Sequence, residues 1–577
     1  MIMKAVGMRC IIITAGVLLL FCFAPCLLAD GLYGDFTGDN IVNAKDLFEF
    51  STLWLAEDCD PNVDLNGDCR INFYEFSAFA NNWQLTYTPS PATPQNLMVP
   101  PAAFDDSSIT LIWSKPSVYS NVASYNVYRN GSLVGNTTKL FYNVTGLTAA
   151  TLYSFTVKSV NSSGTELAVS NTYSAATANT PAVFYPEDYG AAANGTTKDT
   201  VAIQAAITAC TAGGKVHLRS GKTFLSGAIF LKSNMTLQID GTLMGSASAA
   251  DYPTMPMRFE GTETTCYSAL INVGNTRNHT YGGQISNVSI RGSGTVNGNG
   301  SGSTGLIVSE GGITSMRGRL IYMVNASYVN LQGLTLTNPP AWTIHPVYST
   351  QITIQGITVN TVGISNGDGC DPDSSTYIYF FNDTFNTGDD CIAIKSGKNL
   401  EGYTINMPSA YIRVTNCIFN NGHGGVTIGS ESSGGVNNVF AQDCVVTGNQ
   451  IGLRMKTCPA RGGTVEYITI KDWTITGATK FGINIITNYS DSGGTAAPTL
   501  PICRNITVEN VTVDSTSVMG FDIEGQSSIH ITDMLFKNCA FRGATKNKLI
   551  FVDRATFTGC TITASFSQSS CTNIIQN

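Results

Sequence analysis

From about Ala182 to Asn577 the chain repeats one local pattern. Short runs alternate Val, Ile and Leu with Asn, Thr and Gly. Examples are SNVSIRGSGTVNG from Ser286, SYVNLQGLTLTNPP from Ser327, TQITIQGITVNT from Thr350, AYIRVTNCIFNN from Ala410 and RNITVENVTVDS from Arg504. The spacing is uneven but close to one solenoid turn. A single strand–turn–strand coil cannot bury its apolar face, whereas a stack of coils can. The pattern therefore predicts a right-handed parallel β-helix over 182–577, with Ala202 to Cys210 as a helix capping one end.

A chain of 577 residues is too long for one core, so further domains are expected. Residues 91–178 read as a β-sandwich. The strands SSITLIWSKP, ASYNVYRNG, LFYNVTGL and LYSFTVKSVN place Trp113, Tyr125, Leu147 and Tyr153 where a sandwich core lies. A Pro/Thr linker, YTPSPATPQ, precedes it. Residues 31–86 read as a small α-helical, EF-hand-like duplication. The fold class is thus mostly β, with one short helical module.

In that module Asp35, Thr37, Asp39, Asn43 and Asp46 stand at loop positions 1, 3, 5, 9 and 12, with the position-7 carbonyl from Ile41. Asp64, Asn66, Asp68, Asn72 and Glu75 repeat the series, with Arg70 at position 7. Oxygen donors at that spacing suit Ca²⁺, so two sites are expected. After each loop an amphipathic helix follows, with Leu47, Phe50 and Trp54 matched by Phe76, Phe79 and Trp83. The duplication resembles a dockerin. That resemblance implies two bound Ca²⁺ and a cohesin-type partner. Ala44-Lys45 and Phe73-Tyr74 replace the Ser/Thr pairs common in dockerins, and loop position 6 is Asn40 or Cys69 rather than Gly. A Ca²⁺-rigidified spacer without a partner is the alternative.

Lys4 and Arg9 precede an apolar run from Ile11 to Ala29, which reads as a secretory leader (1–29) cut after Ala29. A secreted, cell-surface or periplasmic location follows, with no membrane attachment once the leader is gone. Three of the 16 cysteines fall in the leader, so 13 remain and at least one thiol is unpaired. Cys59 and Cys69 could form a local disulfide. Cys417, Cys444, Cys539 and Cys560 share one pattern and read as small core residues. The net charge of −8 and the lack of a basic run argue against nucleic acid.

Only 12% of residues are charged, yet three carboxylates and a histidine gather among glycines. They are Asp368 in NGDGCDPDSS, Asp389 and Asp390 in NTGDDCIAIKSG, and His423 in NGHGGVTIGSE. Arg454 and Lys456 follow in GLRMK. The turns carrying Asp368, Asp389 and His423 align as successive coils, about 4.8 Å apart. Crowded carboxylates cannot all ionise cheaply, so one should become an acid. Acid/base hydrolysis of an acidic polysaccharide fits this set.

The blocks NGD, GDD, GHG and RMK resemble those of glycoside hydrolase family 28, the polygalacturonases, with Gly367 for Thr and Met455 for Ile. The resemblance implies an inverting hydrolase of α-1,4-galacturonosidic bonds in pectic polysaccharide, with no catalytic cofactor. It implies Asp389 as general acid, Asp368 and Asp390 activating water, and His423 tuning the acid. Arg454 and Lys456 would grip galacturonate carboxylates. Trp342 and His345 in AWTIHP, and Tyr489, are further expected substrate contacts. The WTIHP and GHGGVTIGSE stretches resemble bacterial exo-acting members, and the segment from Tyr252 to Arg277 could close one end of the cleft. An endo enzyme, or one acting on rhamnogalacturonan or xylogalacturonan, is the alternative within the family. A pectate lyase or a non-catalytic carbohydrate-binding protein lies outside it.

Overall fold

The computed structural model describes residues 27–28, 31–32, 42–53, 71–81, 83, 90–490, 493–514 and 519–577. The expected leader, apart from residues 27–28, lies outside them. So do Asp35, Thr37, Asp39, Ile41, Asp64, Asn66, Asp68, Arg70 and the Cys59–Cys69 pair. Among the described residues, no helix is long and apolar enough to cross a membrane.

The chain divides into two compact units. One comprises Met1–Leu97, Ser114–Asn136 and Tyr153–Ala175. It contains the helices Ala44–Leu53 and Phe73–Asn81. Each helix starts at an Asn whose backbone N–H donates to a carboxylate three residues on. Asn43 donates to Asp46 at 2.9 Å and Asn72 to Glu75 at 3.0 Å. That is half of a capping box, and it fixes both helix starts. Phe50 stacks on Phe79 at 5.4 Å and lies 6.1 Å from Phe76, as the duplicated apolar pattern predicts. This unit also holds most of a five-stranded sheet that includes Ser124–Arg129 and Leu152–Val160.

The second unit comprises Met98–Trp113, Thr137–Leu152 and Ala176–Asn577. One division, between Ala175 and Ala176, falls beside the expected boundary at 178, but residues 98–113 and 137–152 group with the solenoid rather than with the rest of the sandwich. The reason is packing: Leu140 N–H donates to Asn416 at 3.0 Å, Thr353 to the Pro101 carbonyl at 2.7 Å, and Phe141 lies 5.5 Å from Phe381. These contacts tie the paired strands Ser108–Ser114 and Phe141–Thr145 to the solenoid.

From Val183 onward, parallel strands build the predicted right-handed β-helix. Two stacked sheets of 14 and 13 strands run its length among the described residues. In the longer one Leu237, Ile290, Leu331, Ile354 and Phe380 lie in one register and are fully buried. Each coil thus supplies one apolar rung to a continuous core. The turn beside this sheet needs a left-handed residue, and the chain supplies Asn382, Asn416, Asp443 and Asp472 there, with φ between 54° and 60°. Short polar side chains tolerate that region best. The residues that follow in the later turns, Cys417, Cys444 and Trp473, are buried. The 11 described cysteines are all free thiols, and Cys417, Cys444 and Cys539 are core residues as expected; Cys560 is half-buried. The helix Thr200–Ala209 covers the first coils, close to the predicted cap.

The third sheet is interrupted. Four strands end at Ile344–Val347, and seven begin at Ile392–Ile394. Between them only isolated bridges continue the ladder, Ile344 to Cys370 to Ile392 and Val347 to Asp373 to Lys395. The interrupting coil is NGDGCDPD, whose Gly and Pro residues do not favour a strand.

Candidate active site

The broken coil and the strands after it bring the four sequence blocks together. The nearest oxygens of Asp368, Asp389 and Asp390 lie within 4.8 Å of one another. They line a cleft of about 440 Å³ with His423, Arg454, Lys456 and Tyr489. The register differs by one residue from the predicted alignment. Counting back two residues from the Cys370–Ile392 bridge sets Asp368 opposite Asp390, not Asp389. Counting back three from the Ile392–Val426 pair sets Asp389 opposite His423.

Asp389 and His423 form the solvent-facing side. His423 Nδ1 lies 2.8 Å from Asp389 Oδ1, with the two side chains 40% and 23% exposed. The hydrogen bond to Asp389 raises the imidazole pKa above its ordinary value, against partial burial. Gly422 has φ +145°, and a side chain on Gly424 would meet Thr427 Oγ1 at 2.2 Å and Asp390 Oδ1 at 3.1 Å. The glycines of the GHG block thus let the backbone pass beside Asp390 while His423 points at Asp389.

Asp390 is buried. Lys456 Nζ lies 2.9 Å from its Oδ2 and Arg454 3.4 Å from its Oδ1. Burial would raise its pKa, but Lys456, Arg454 and Lys395 outweigh it and hold the carboxyl at about 2. The two cations of RMK are therefore already engaged with a carboxylate, and both lie against the Tyr489 ring, at 6.0 and 5.3 Å. Asp368 is buried without such help. Burial, Asp371 and Asp389 push its pKa well above the carboxylate range, and its Oδ1 has no hydrogen-bond partner. The carboxyl raised in this way is Asp368, which the resemblance assigned to the water side.

Two of the expected substrate contacts change. His345 is fully buried and does not line the cleft. It lies 4.8 Å from Trp342 and 3.6 Å from Asp373, and burial lowers its pKa to about 4. The expectation that it grips substrate is corrected: it is a neutral core residue. Trp342 reaches the cleft wall but is only 4% exposed, with Arg319 and Lys395 over its ring at 4.5 and 4.7 Å. Its ring face is taken by these cations rather than open to a sugar.

Four participants were not singled out from sequence. Lys395, in the IKSG stretch, lies 3.0 Å from Glu431, in IGSE, and 3.6 Å from Asp371. Arg317 donates to Asn366 Oδ1 at 2.6 Å and so fixes the start of the NGD block. The spacing of IKSG and IGSE after GDD and GHG was the available signal for Lys395 and Glu431. Nothing local marked Arg317.

The segment expected to close the cleft is a hairpin. Thr254–Phe259 pairs antiparallel with Thr262–Tyr267 around Glu260-Gly261, both with positive φ. Glu260 lines the cleft, and a Cβ on Gly261 would meet Glu431 Cγ at 2.6 Å. Arg258, at the hairpin's buried end, bonds Asp373 at 2.6 Å.

A parallel β-helix whose carboxylates, histidine and cations meet in one cleft defines a polysaccharide-processing enzyme. Comparison makes the class specific. The family described as Glycosyl hydrolases family 28 matches residues 210–560, and a Fibronectin type III domain matches residues 92–175. The chain is 31% identical over 554 residues to an exo-poly-alpha-D-galacturonosidase of Dickeya chrysanthemi, covering 83% of this chain and 92% of that one. It therefore belongs to glycosyl hydrolase family 28 and is a glycoside hydrolase. Its fold is similar to that of a family 28 exopolygalacturonase of Yersinia enterocolitica (TM-score 0.75, 24% identity, 84% and 98% of the two chains). It is also similar to an exopolygalacturonase of Thermotoga maritima (TM-score 0.55, 27% identity, 68% and 91% of the two chains).

Proposed function

We propose that this enzyme hydrolyses α-1,4-galacturonosidic bonds of polygalacturonate from a chain end. The hairpin tip at Glu260-Gly261 carries the exo reading, because it stands in the cleft beside the carboxylates and is packed against Glu431. A cleft so obstructed suits a chain end better than a chain interior.

Asp389, in contact with His423 and solvent, protonates the glycosidic oxygen as the bond to the anomeric carbon breaks. Asp368 and Asp390 orient water on the other face, and Asp368 takes its proton. Arg454 and Lys456 hold the substrate carboxylates while balancing Asp390. Inversion is part of the proposal. It is supported by family membership rather than by separation, since oxygens within 4.8 Å would by themselves fit retention.

Time-resolved product analysis on polygalacturonic acid tests this, with Asp389→Asn as control. Monomer or dimer alone at early times is expected, and none from the variant. A spread of oligomers would mean endo attack. Unsaturated ends would mean a lyase, and no new reducing ends would point to branched pectins. A second reading follows from burial: Asp368, whose pKa is raised, would be the proton donor. A substrate with a leaving group that needs no proton decides between them, because only the donor's Asn variant regains activity on it.

The helical module is proposed to hold two Ca²⁺. Asp46 and Glu75 are fully buried, and Glu75 Oε1 has no hydrogen-bond partner, so a cation there would satisfy it. Asn43, Asp46, Asn72 and Glu75 would contribute from the described residues. A cohesin-type scaffold is the proposed partner. Calorimetry with Ca²⁺ and then with a cohesin tests both steps. Secretion is proposed with it.

A further inference from the structure

Asp371 is a buried acid that the mechanism above does not use. It is 0% exposed, and neither of its carboxyl oxygens has a hydrogen-bond partner. Its side chain meets that of Asp368, one of whose oxygens is also unpartnered. The charged groups facing the pair are Lys395, Arg319 and Asp390, with Asp389 and Arg317 on the Asp368 side. Lys395 Nζ is 3.6 Å from Asp371 Oδ1 but 3.0 Å from Glu431, so its closest bond is already made. Arg319 directs its N–H groups at the carbonyls of Arg317, Gly318 and Arg258 and at His345 Nδ1. These cations lie near the pair but leave both Asp371 oxygens and Asp368 Oδ1 without a hydrogen bond. Two dry carboxyls in contact are stable when one proton lies between them, joining one oxygen of each.

We propose that Asp371 is a positioning residue that shares one proton with Asp368 and so holds the water-activating carboxylate in place. The proton resides on Asp371 while Asp368 faces the water. When water attacks the anomeric carbon, its O–H bond breaks and its proton passes to Asp368. Asp389 has meanwhile given its own proton to the leaving oxygen. Release of one proton from the pair to solvent and uptake of one by Asp389 restore the site. Burial, partly offset by Lys395, Arg319 and the Asp368 carboxyl, raises the Asp371 pKa to about 8, and Asp368 is pushed up as well, which agrees with one proton held by the pair at neutral pH. The inference rests on the reading that Asp368 serves the water side.

Infrared difference spectroscopy of the full chain at neutral pH tests it without substrate, comparing Asp389→Asn with Asp389→Asn/Asp371→Asn. Loss of one protonated-carboxyl carbonyl band in the double variant is the expected result; an unchanged band count overturns the proposal. Asn is isosteric with a protonated Asp, so Asp371→Asn should fold. Failure to fold would mean that Lys395 needs Asp371 as a counter-ion, which also overturns it. In the otherwise intact enzyme, Asp371→Asn keeps a donor to Asp368 and should leave the acidic limb of kcat/KM in place. Asp371→Leu removes the donor and should move that limb up by about one pH unit. An unmoved limb in Asp371→Leu would again overturn it. Full activity of Asp389→Asn would sink the catalytic reading alone, and the infrared result would stand.

Discussion

Asp368 and Asp389 are the same residue type on neighbouring coils, yet their surroundings oppose each other. Asp389 is 23% exposed and bonded to His423. Asp368 is 3% exposed, beside Asp371, and partly without partners. Between them Asp390 is as buried as Asp368 but carries two cations. Burial alone therefore does not set protonation. Its sign at each site follows from whether a cation or a second carboxyl shares the dry space, as the opposite shifts of Asp368 and Asp390 demonstrate.

The sharpest way to break this comparison is to remove one side's chemistry. Asp389→Asn should lower kcat by about 10²–10⁴-fold, the usual weight of one general acid, measured by reducing-end release. A loss under tenfold would move the acid to the dry side. Next in size, Lys395→Met strips the buried pair with Glu431 of its cation. A stability loss of about 3–5 kcal/mol is expected in denaturant unfolding, because a buried carboxylate is left alone. A small effect would mean that Glu431 simply takes up a proton.

Lys456→Met is a milder test of the same principle. Asp390, held at about 2, would rise, so the acidic limb of kcat/KM should shift upward, with higher KM if the lysine also meets substrate. The sign for stability follows likewise. A carboxyl with a lowered folded pKa contributes stability above its unfolded value, near 3.9, and loses it as pH falls through about 2. The smallest effect belongs to the wet side. His423 has a raised folded pKa, so its stabilising contribution is complete below about 6.5 and disappears as pH rises through the raised value. His423→Gln should therefore narrow the melting-temperature gap between acid and alkaline buffer by only a degree or two, since solvent screens this exposed pair. Equal destabilisation at both pH values would show that the histidine acts by packing.

Much of the site was legible because a solenoid turns sequence spacing into spatial stacking. Once NGD, GDD, GHG and RMK fall at the same position in successive coils, Asp368, Asp389, Asp390, His423, Arg454 and Lys456 must meet. The one-residue register error came from the coil at Cys370, which makes only bridges and so leaves no strand period to count. His345 stands three residues after Trp342, but its strand, Ile344–Val347, is buried on both faces, so period-two alternation did not reveal which side chains reach the cleft.

The sequence by itself determined the coil repeat, the core rungs, the left-handed Asn and Asp turns and the set of catalytic blocks. All of these depend on residue type and on period, which act over a few residues. Tertiary structure alone decided that Lys395 turns to Glu431, that Arg317 braces Asn366, that the hairpin at Glu260 enters the cleft, and that Asp371 lies dry against Asp368. These depend on which charges share a water-free space, and that is set by contacts between coils and insertions far apart in the chain.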